Sequence, residues 1–358
     1  MKIAILGTVG VPGRYGGFET LADNLVLYHS ASNHGSDLTV WCSTKDNADH
    51  PERYESAALR YVSLRANGPQ SVLYDAISLY QAVRGGYDQI ILLGVSGAIA
   101  LPLVRLLSNA RITTNIDGIE WKRDKWNALA KAYLKFAERL AVKFSHTVVA
   151  DNRAIADYVE ASYDLEAVVI PYGGDHAQSA VPNETAAATL PGEYALGLCR
   201  IEPENNVAMI LEAFSQLDQP LVFVGNWDSS AYGRKLKAKY GNHPSITIHD
   251  PVYEQSALRA IRDRATLYVH GHSAGGTNPA LVEMMHFGIP IAAHGCLFNR
   301  HTTEDSALYF ASTEELRAIV RGLTEQQSGA VGDAMREIAR RRYTWSTIGE
   351  AYFRLLEA

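Results

Sequence analysis

A chain of 358 residues is long for one ordinary core and points to two domains. With 47% hydrophobic and 20% charged residues and neither a repeat nor a low-complexity tract, it reads as an ordinary globular protein, which excludes solenoid and mainly disordered classes. The formal charge of -6 weighs against a general nucleic-acid binder, and the scattered Cys42, Cys199 and Cys296 support neither a disulfide framework nor a structural zinc site.

The chain opens on the apolar run Ile3 to Leu6, too short for a signal peptide. No later run nears the roughly 20 apolar residues of a spanning helix. A cytoplasmic protein with at most peripheral membrane contact is therefore expected. After the first strand a glycine-rich turn, Gly7 to Gly17, leads into a helix from about Glu19 to Tyr28. The glycines of this turn, with Arg14, allow close backbone approach to an anionic ligand at the helix start. The spacing of Gly7, Gly10 and Gly13 is not that of a dinucleotide fingerprint, and no phosphate-loop lysine follows.

Strand candidates continue at 38–41, 90–93, 112–114 and 147–150, separated mostly by helical stretches, as a parallel sheet requires. After the strand at 112–114 comes Asn115-Ile116-Asp117-Gly118-Ile119-Glu120-Trp121, a place where open α/β sheets bind ligands. Asp117 there suits orienting an acceptor hydroxyl or taking its proton, and equally suits a turn or cap. Trp121 to Trp126 interleaves aromatic and basic side chains, and Lys131, Lys135, Arg139 and Lys143 follow on a helical stretch. Such a face fits an anionic membrane surface, or simply a solvated helix flank.

Pro171-Tyr172-Gly173-Gly174-Asp175 and the small, polar stretch to Gly192 read as a hinge between domains. A second strand series follows at 194–198, 221–224, 246–248, 266–270 and 289–293. Arg200 stands directly after its first strand, where a guanidinium can neutralise a diphosphate. After the strand at 266–270, Gly275-Gly276-Thr277-Asn278-Pro279 leads into a helix, with Asn278 as cap and Pro279 as first residue. Its first-turn amides are suited to phosphates, and Glu283, one turn in, to the hydroxyls of a nucleoside sugar. His270 and His272, two apart on a strand end, point to opposite faces, so no metal site is expected. From about Glu314 the chain is helical to its end.

Four stretches together carry a resemblance: Gly10-Val11-Pro12 with Arg14 to Thr20, Asp117 to Trp121, Arg200 to Asn206, and Gly275 to Pro279. The chain resembles the GT-B glycosyltransferases of family 4, and within them bacterial rhamnosyltransferases of cell-surface polysaccharide assembly with a DUF1972-type N-terminal domain. The resemblance implies two Rossmann-like parallel-sheet domains facing a cleft, with an acceptor-side domain over 1–173, a nucleotide-sugar domain over 174–343 and a C-terminal helix, 344–358, returning to the first. It implies a metal-independent, retaining transfer, with no cofactor beyond the nucleotide sugar, and a hinge motion that closes the site.

The donor side would comprise Arg14, Gly16, Gly17, Arg200, Asn205, Gly275, Gly276, Thr277, Asn278 and Glu283, and the acceptor side Glu19, Asp117, Glu120 and Trp121. Of these, Asp117, Arg200 and Glu283 carry the catalytic roles. Two features depart from the wider family: Gly275 stands where the first of two glutamates eight residues apart is usual, and Asn205 and Asn206 stand where a lysine follows the arginine. Both point to the rhamnosyltransferase branch, hence to dTDP-rhamnose as donor and a polyprenyl-diphosphate-linked sugar as acceptor, with no nucleic acid partner. A UDP or GDP sugar (glucose, galactose or N-acetylglucosamine) is the alternative donor. A sugar-nucleotide epimerase, a hydrolase and a non-catalytic binding subunit are the other readings.

Overall fold

The computed structural model describes residues 1–13, 16–47, 49–122 and 126–357. The chain forms two compact units, Met1–Pro171 with Trp345–Ala358, and Tyr172–Thr344.

Among the described residues, the first unit carries eight strands: β1 (Lys2–Leu6), β2 (Asp37–Ser43), β3 (Arg53–Tyr54), β4 (Ala57–Val62), β5 (Gln89–Leu93), β6 (Arg111–Asn115), β7 (Thr147–Ala150) and β8 (Val168–Val169). They lie in the order β3-β4-β2-β1-β5-β6-β7-β8. Every pairing is parallel except β3 with β4. Ile3, Ala4, Ile5 and Leu6 are fully buried, as a central parallel strand covered on both faces requires.

The second unit has six strands among the described residues: β9 (Tyr194–Leu198), β10 (Leu221–Val224), β11 (Ile246–His249), β12 (Ala265–His270), β13 (Ile291–His294) and β14 (Leu308–Phe310). Their order is β11-β10-β9-β12-β13-β14, all parallel. Phe214, Phe223 and Trp227 anchor its core, and the Trp227 indole N–H donates to the His249 carbonyl at 3.0 Å. Both units are thus Rossmann-like.

Short strands escape sequence reading. The β3–β4 pair has two residues on one side, and β4 mixes buried, half-buried and exposed positions without a regular period. The strand expected from Ile289 begins at Ile291, because Pro290 has no N–H for a ladder and offers only its carbonyl, to the Tyr268 N–H at 3.0 Å.

The last helix, Trp345–Glu357, belongs to the first unit. It buries Ile348, Tyr352, Phe353 and Leu356, side chains whose burial stabilises by about 1.5–3 kcal/mol each. Phe353 stacks on Tyr28 with ring centroids 5.7 Å apart. The Gln89 side chain donates to the Leu356 carbonyl at 2.7 Å, and Asn115 donates to the Tyr352 hydroxyl at 2.7 Å.

Candidate functional site

In the second unit the helix Pro279–Met285 starts as its sequence predicts. Asn278 caps it, accepting the Ala280 N–H at 3.0 Å, and Pro279 occupies the first turn. The cap commits the Ala280 amide, which therefore is not a phosphate donor. Thr277 is buried just ahead of it.

Glu283 lies within this helix at 13% side-chain exposure. One carboxylate oxygen bonds the Arg262 guanidinium, and the other lies 3.4 Å from His176 Nε2. Burial alone would push this carboxyl up, yet Arg262 and His176 together hold it below the usual carboxylate range. Glu283 is thus a fixed negative charge in a buried setting.

Arg262 arrives from the helix Gln255–Asp263, and His176 from a single turn, Asp175–Gln178. That turn is fastened to the second unit. The Gly174 N–H donates to the Tyr343 carbonyl at 2.8 Å, and the Gln178 side chain to the His286 carbonyl at 3.0 Å. Motif reading missed both partners of Glu283. For Arg262 the available signal is a cation among the buried positions Ala257, Ala260 and Ile261 of one helix. For His176 there is none, since a turn places it.

The Arg200 segment and the Gly275 loop form one assembly. Asn206 donates to the Gly271 carbonyl at 2.8 Å, and the Ser273 hydroxyl donates to the Glu204 carbonyl at 2.8 Å. Arg200 is exposed at its edge. Asn205 corrects the donor-contact expectation: it is 4% exposed, its amide nitrogen donates to the Arg200 carbonyl at 2.7 Å, and its oxygen meets His272 Nδ1 at 2.6 Å. It braces the loop rather than facing a ligand. Because its oxygen only accepts, the His272 proton sits on Nδ1.

Gly275 has φ +119, and a Cβ there would stand 2.8 Å from His272 Nε2. The ring therefore occupies the space a side chain at 275 would enter, a physical reason for glycine at this position. His270 is buried beside these groups, and burial, then neighbouring His272 and His294, hold its pKa well below the ordinary value, so it is neutral. Among the described residues no three His, Cys, Asp or Glu side chains gather as a metal site.

In the first unit Arg14 lies outside the described residues, as do Arg123 and Lys125 of the basic stretch. Gly16 has φ +124, and a Cβ there would overlap the Glu19 carboxylate. Gly17 opens the helix Gly17–Ala31. Glu19 is 9% exposed and accepts the Val9 N–H at 3.1 Å. Burial raises its pKa, and through the Val9 bond Glu19 braces the glycine loop from within.

Asp117 takes a left-handed conformation, φ 57, with its N–H donated to the Asn115 side chain at 2.8 Å. Asn115, bonded in turn to Tyr352, ties the Asp117 loop to the C-terminal helix; motif reading did not single it out. Glu120 is half-buried in the same turn as Trp121, and the Trp121 ring packs beneath Lys135 at 4.7 Å and Lys122 at 5.5 Å. Asp75, also missed, is 1% exposed and accepts the Ser96 hydroxyl at 2.5 Å in the loop after β5. Burial pushes it up to about 7.

Two family models match. Residues 1–175 match a domain of unknown function, DUF1972, and residues 189–340 match glycosyl transferases group 1. No curated protein matches the chain. Solved structures of GT-B glycosyltransferases share its fold. Sucrose-phosphate synthase from Thermosynechococcus elongatus is similar at TM-score 0.80 with 16% identity, over 99% of this chain and 98% of that one. HepE of Anabaena in complex with UDP-glucose is similar at TM-score 0.74 with 16% identity, over 100% and 99%. The trehalose-6-phosphate synthase of Burkholderia multivorans is similar at TM-score 0.71 with 13% identity, over 99% and 96%.

Proposed function

We propose that this chain, whose residues 189–340 match glycosyl transferases group 1, is a retaining enzyme moving L-rhamnose from dTDP-rhamnose to a polyprenyl-diphosphate-linked sugar. It would work without a metal ion in the cytoplasm, in peripheral contact with the inner face of the membrane. The observation that carries a nucleotide-sugar donor is Glu283, a carboxylate kept charged by Arg262 and His176 on the helix that follows the Gly275 loop.

In this reading Glu283 accepts from the nucleoside sugar. Arg200 and the backbone near Thr277 and Asn278 hold the diphosphate, with Arg14, Gly16 and Gly17 completing the donor side. As the bond from the sugar to the diphosphate breaks, negative charge grows on the leaving oxygen, and Arg200 meets it. Asp117, aimed by Asn115, orients the attacking acceptor hydroxyl, with Glu19, Glu120 and Trp121 on the same side. Gly275, where the wider family has a carboxylate, with the His272 ring against it, supports a donor sugar of different hydroxyl pattern.

The second reading is a UDP-sugar donor, favoured by the UDP-glucose held in the similar structure of HepE. A thermal-shift panel of dTDP, UDP and GDP sugars decides between them, because a ligand that binds only the folded state raises Tm. The largest rise is expected with dTDP-rhamnose; a larger rise with a UDP or GDP sugar overturns the rhamnose assignment. Glu283→Ala is expected mainly to weaken donor binding, and Asp117→Asn to spare donor binding while lowering kcat. Equal losses of donor affinity in the two variants would refute these roles.

A further inference from the structure

In the first unit the helix Leu101–Leu107 packs beside the helix Ala128–Phe144, and the single turn Ala98–Ala100 contacts both. Their inward positions, Leu101 and Val104 on one, Ala137, Ala141 and Val142 on the other, are buried. The opposite sides should then carry polar residues. They do not. Leu106 and Leu129 are 80% and 81% exposed, and Ile99, Leu103, Leu107 and Phe136 between 46 and 58%. Single exposed leucines are ordinary, but six large apolar side chains on the outer side of adjoining elements mark an interaction surface.

The exposed charges within these segments have one sign. Arg105, Arg111, Lys135, Arg139 and Lys143 are exposed. Residues 94–116 contain no Asp or Glu, and the one acid within 128–144, Glu138, is buried and accepts from the Tyr158 and Tyr163 hydroxyls at 2.7 and 2.6 Å. In a chain of net charge -6, the exposed charges of these segments are thus all basic and flank an apolar centre. Apolar side chains reaching the acyl boundary beneath a belt of Lys and Arg is the chemistry of an interfacial anchor on anionic lipid. Trp121 and Trp126, in contrast, keep their indole nitrogens buried, and Trp121 lies under two lysines.

We propose that Ile99, Leu103, Leu106, Leu107, Leu129 and Phe136, with the basic side chains that flank them, dock the first unit on an anionic bilayer. The surface suits the lipid-linked acceptor proposed above, but it stands on exposure and charge alone.

The test is flotation of the full chain with vesicles of phosphatidylcholine alone or with phosphatidylglycerol, at low and high salt. The wild-type protein is expected to float with the anionic vesicles at low salt, with weaker binding to neutral ones and at high salt. Leu106→Asp with Leu107→Asp is expected to lower partitioning at least about tenfold, and Arg139→Glu with Lys143→Glu by roughly fivefold or more per cation lost. The thermal shift by nucleotide sugars should remain as in the wild type, which separates loss of docking from loss of fold or of donor binding. No flotation at low salt, equal binding to both vesicle types, or indifference to both variants overturns the proposal. So does a wild-type dimer in sedimentation velocity that Leu106→Asp with Leu107→Asp dissolves, since the surface would then cover a second copy.

Discussion

Two buried carboxyls, one in each unit, have opposite fates. Asp75 in the first unit accepts a neutral hydroxyl, from Ser96, and burial drives its pKa up to about 7. Glu283 in the second unit meets the same burial cost, but Arg262 and His176 outweigh it and keep it charged. Depth in the fold therefore does not decide charge; a buried partner of opposite sign does. The second unit keeps a permanent anion suited to hydroxyl ligands. The first keeps a carboxyl that titrates near neutrality under the loop after β5.

Removing the partner should break this contrast most strongly. Arg262→Met leaves the buried Glu283 with His176 as its remaining partner, a loss of the guanidinium that costs about 3–5 kcal/mol. Denaturant unfolding of the second unit should show a loss of that size, and adding Glu283→Gln should restore most of it. A single variant as stable as the wild type would mean that the pair does not hold the helix Pro279–Met285 in place.

The two carboxyls also impose opposite pH dependences. Asp75 has a folded pKa above its unfolded value, so the folded state binds the extra proton, and stability is lost as pH rises through about 7. Asp75→Asn should remove that slope and raise Tm at pH 8, an effect of a few kcal/mol at most. Glu283 has a depressed folded pKa, so its contribution is present above the ordinary carboxylate range and is lost only as pH falls below it. Melting curves from about pH 2 to 9 on wild type, Asp75→Asn and Glu283→Gln check both signs; wild type and Asp75→Asn with the same slope from pH 4 to 8 would deny Asp75 its raised pKa.

The smallest effect belongs to the cap. Asn278→Ala frees the Ala280 N–H and should cost about 1 kcal/mol in unfolding experiments, with little change in the pH profile. A loss several times larger would mean that Asn278 supports the Gly275 loop as well as the helix.

Much of the architecture was legible along the chain. Central strands such as β1, β7, β9 and β10 are continuous apolar runs between turn signals, and the Asn278–Pro279 start of a helix is a local code. Edge strands such as β3, β8 and β14 were not, being two or three residues long with little pattern to read.

Sequence by itself determined two α/β units, the places where loops follow strands, and the residue types in them: Arg200, the Gly275 loop, Glu283 and Asp117. These follow from periodicity and from glycine, proline and cap chemistry, which act over a few neighbouring residues. Tertiary structure alone decided which of those side chains face inward, and what they meet. Asn205 turned into a brace because His272, 67 positions away, takes its oxygen. Glu283 stayed charged because helix packing brings Arg262 beside it, and the fastened turn at 175–178 adds His176. Asn115 gained a role because the last helix returns Tyr352 to it across 237 positions. Burial and pairing are properties of distant segments brought together, and no local pattern in the chain encodes them.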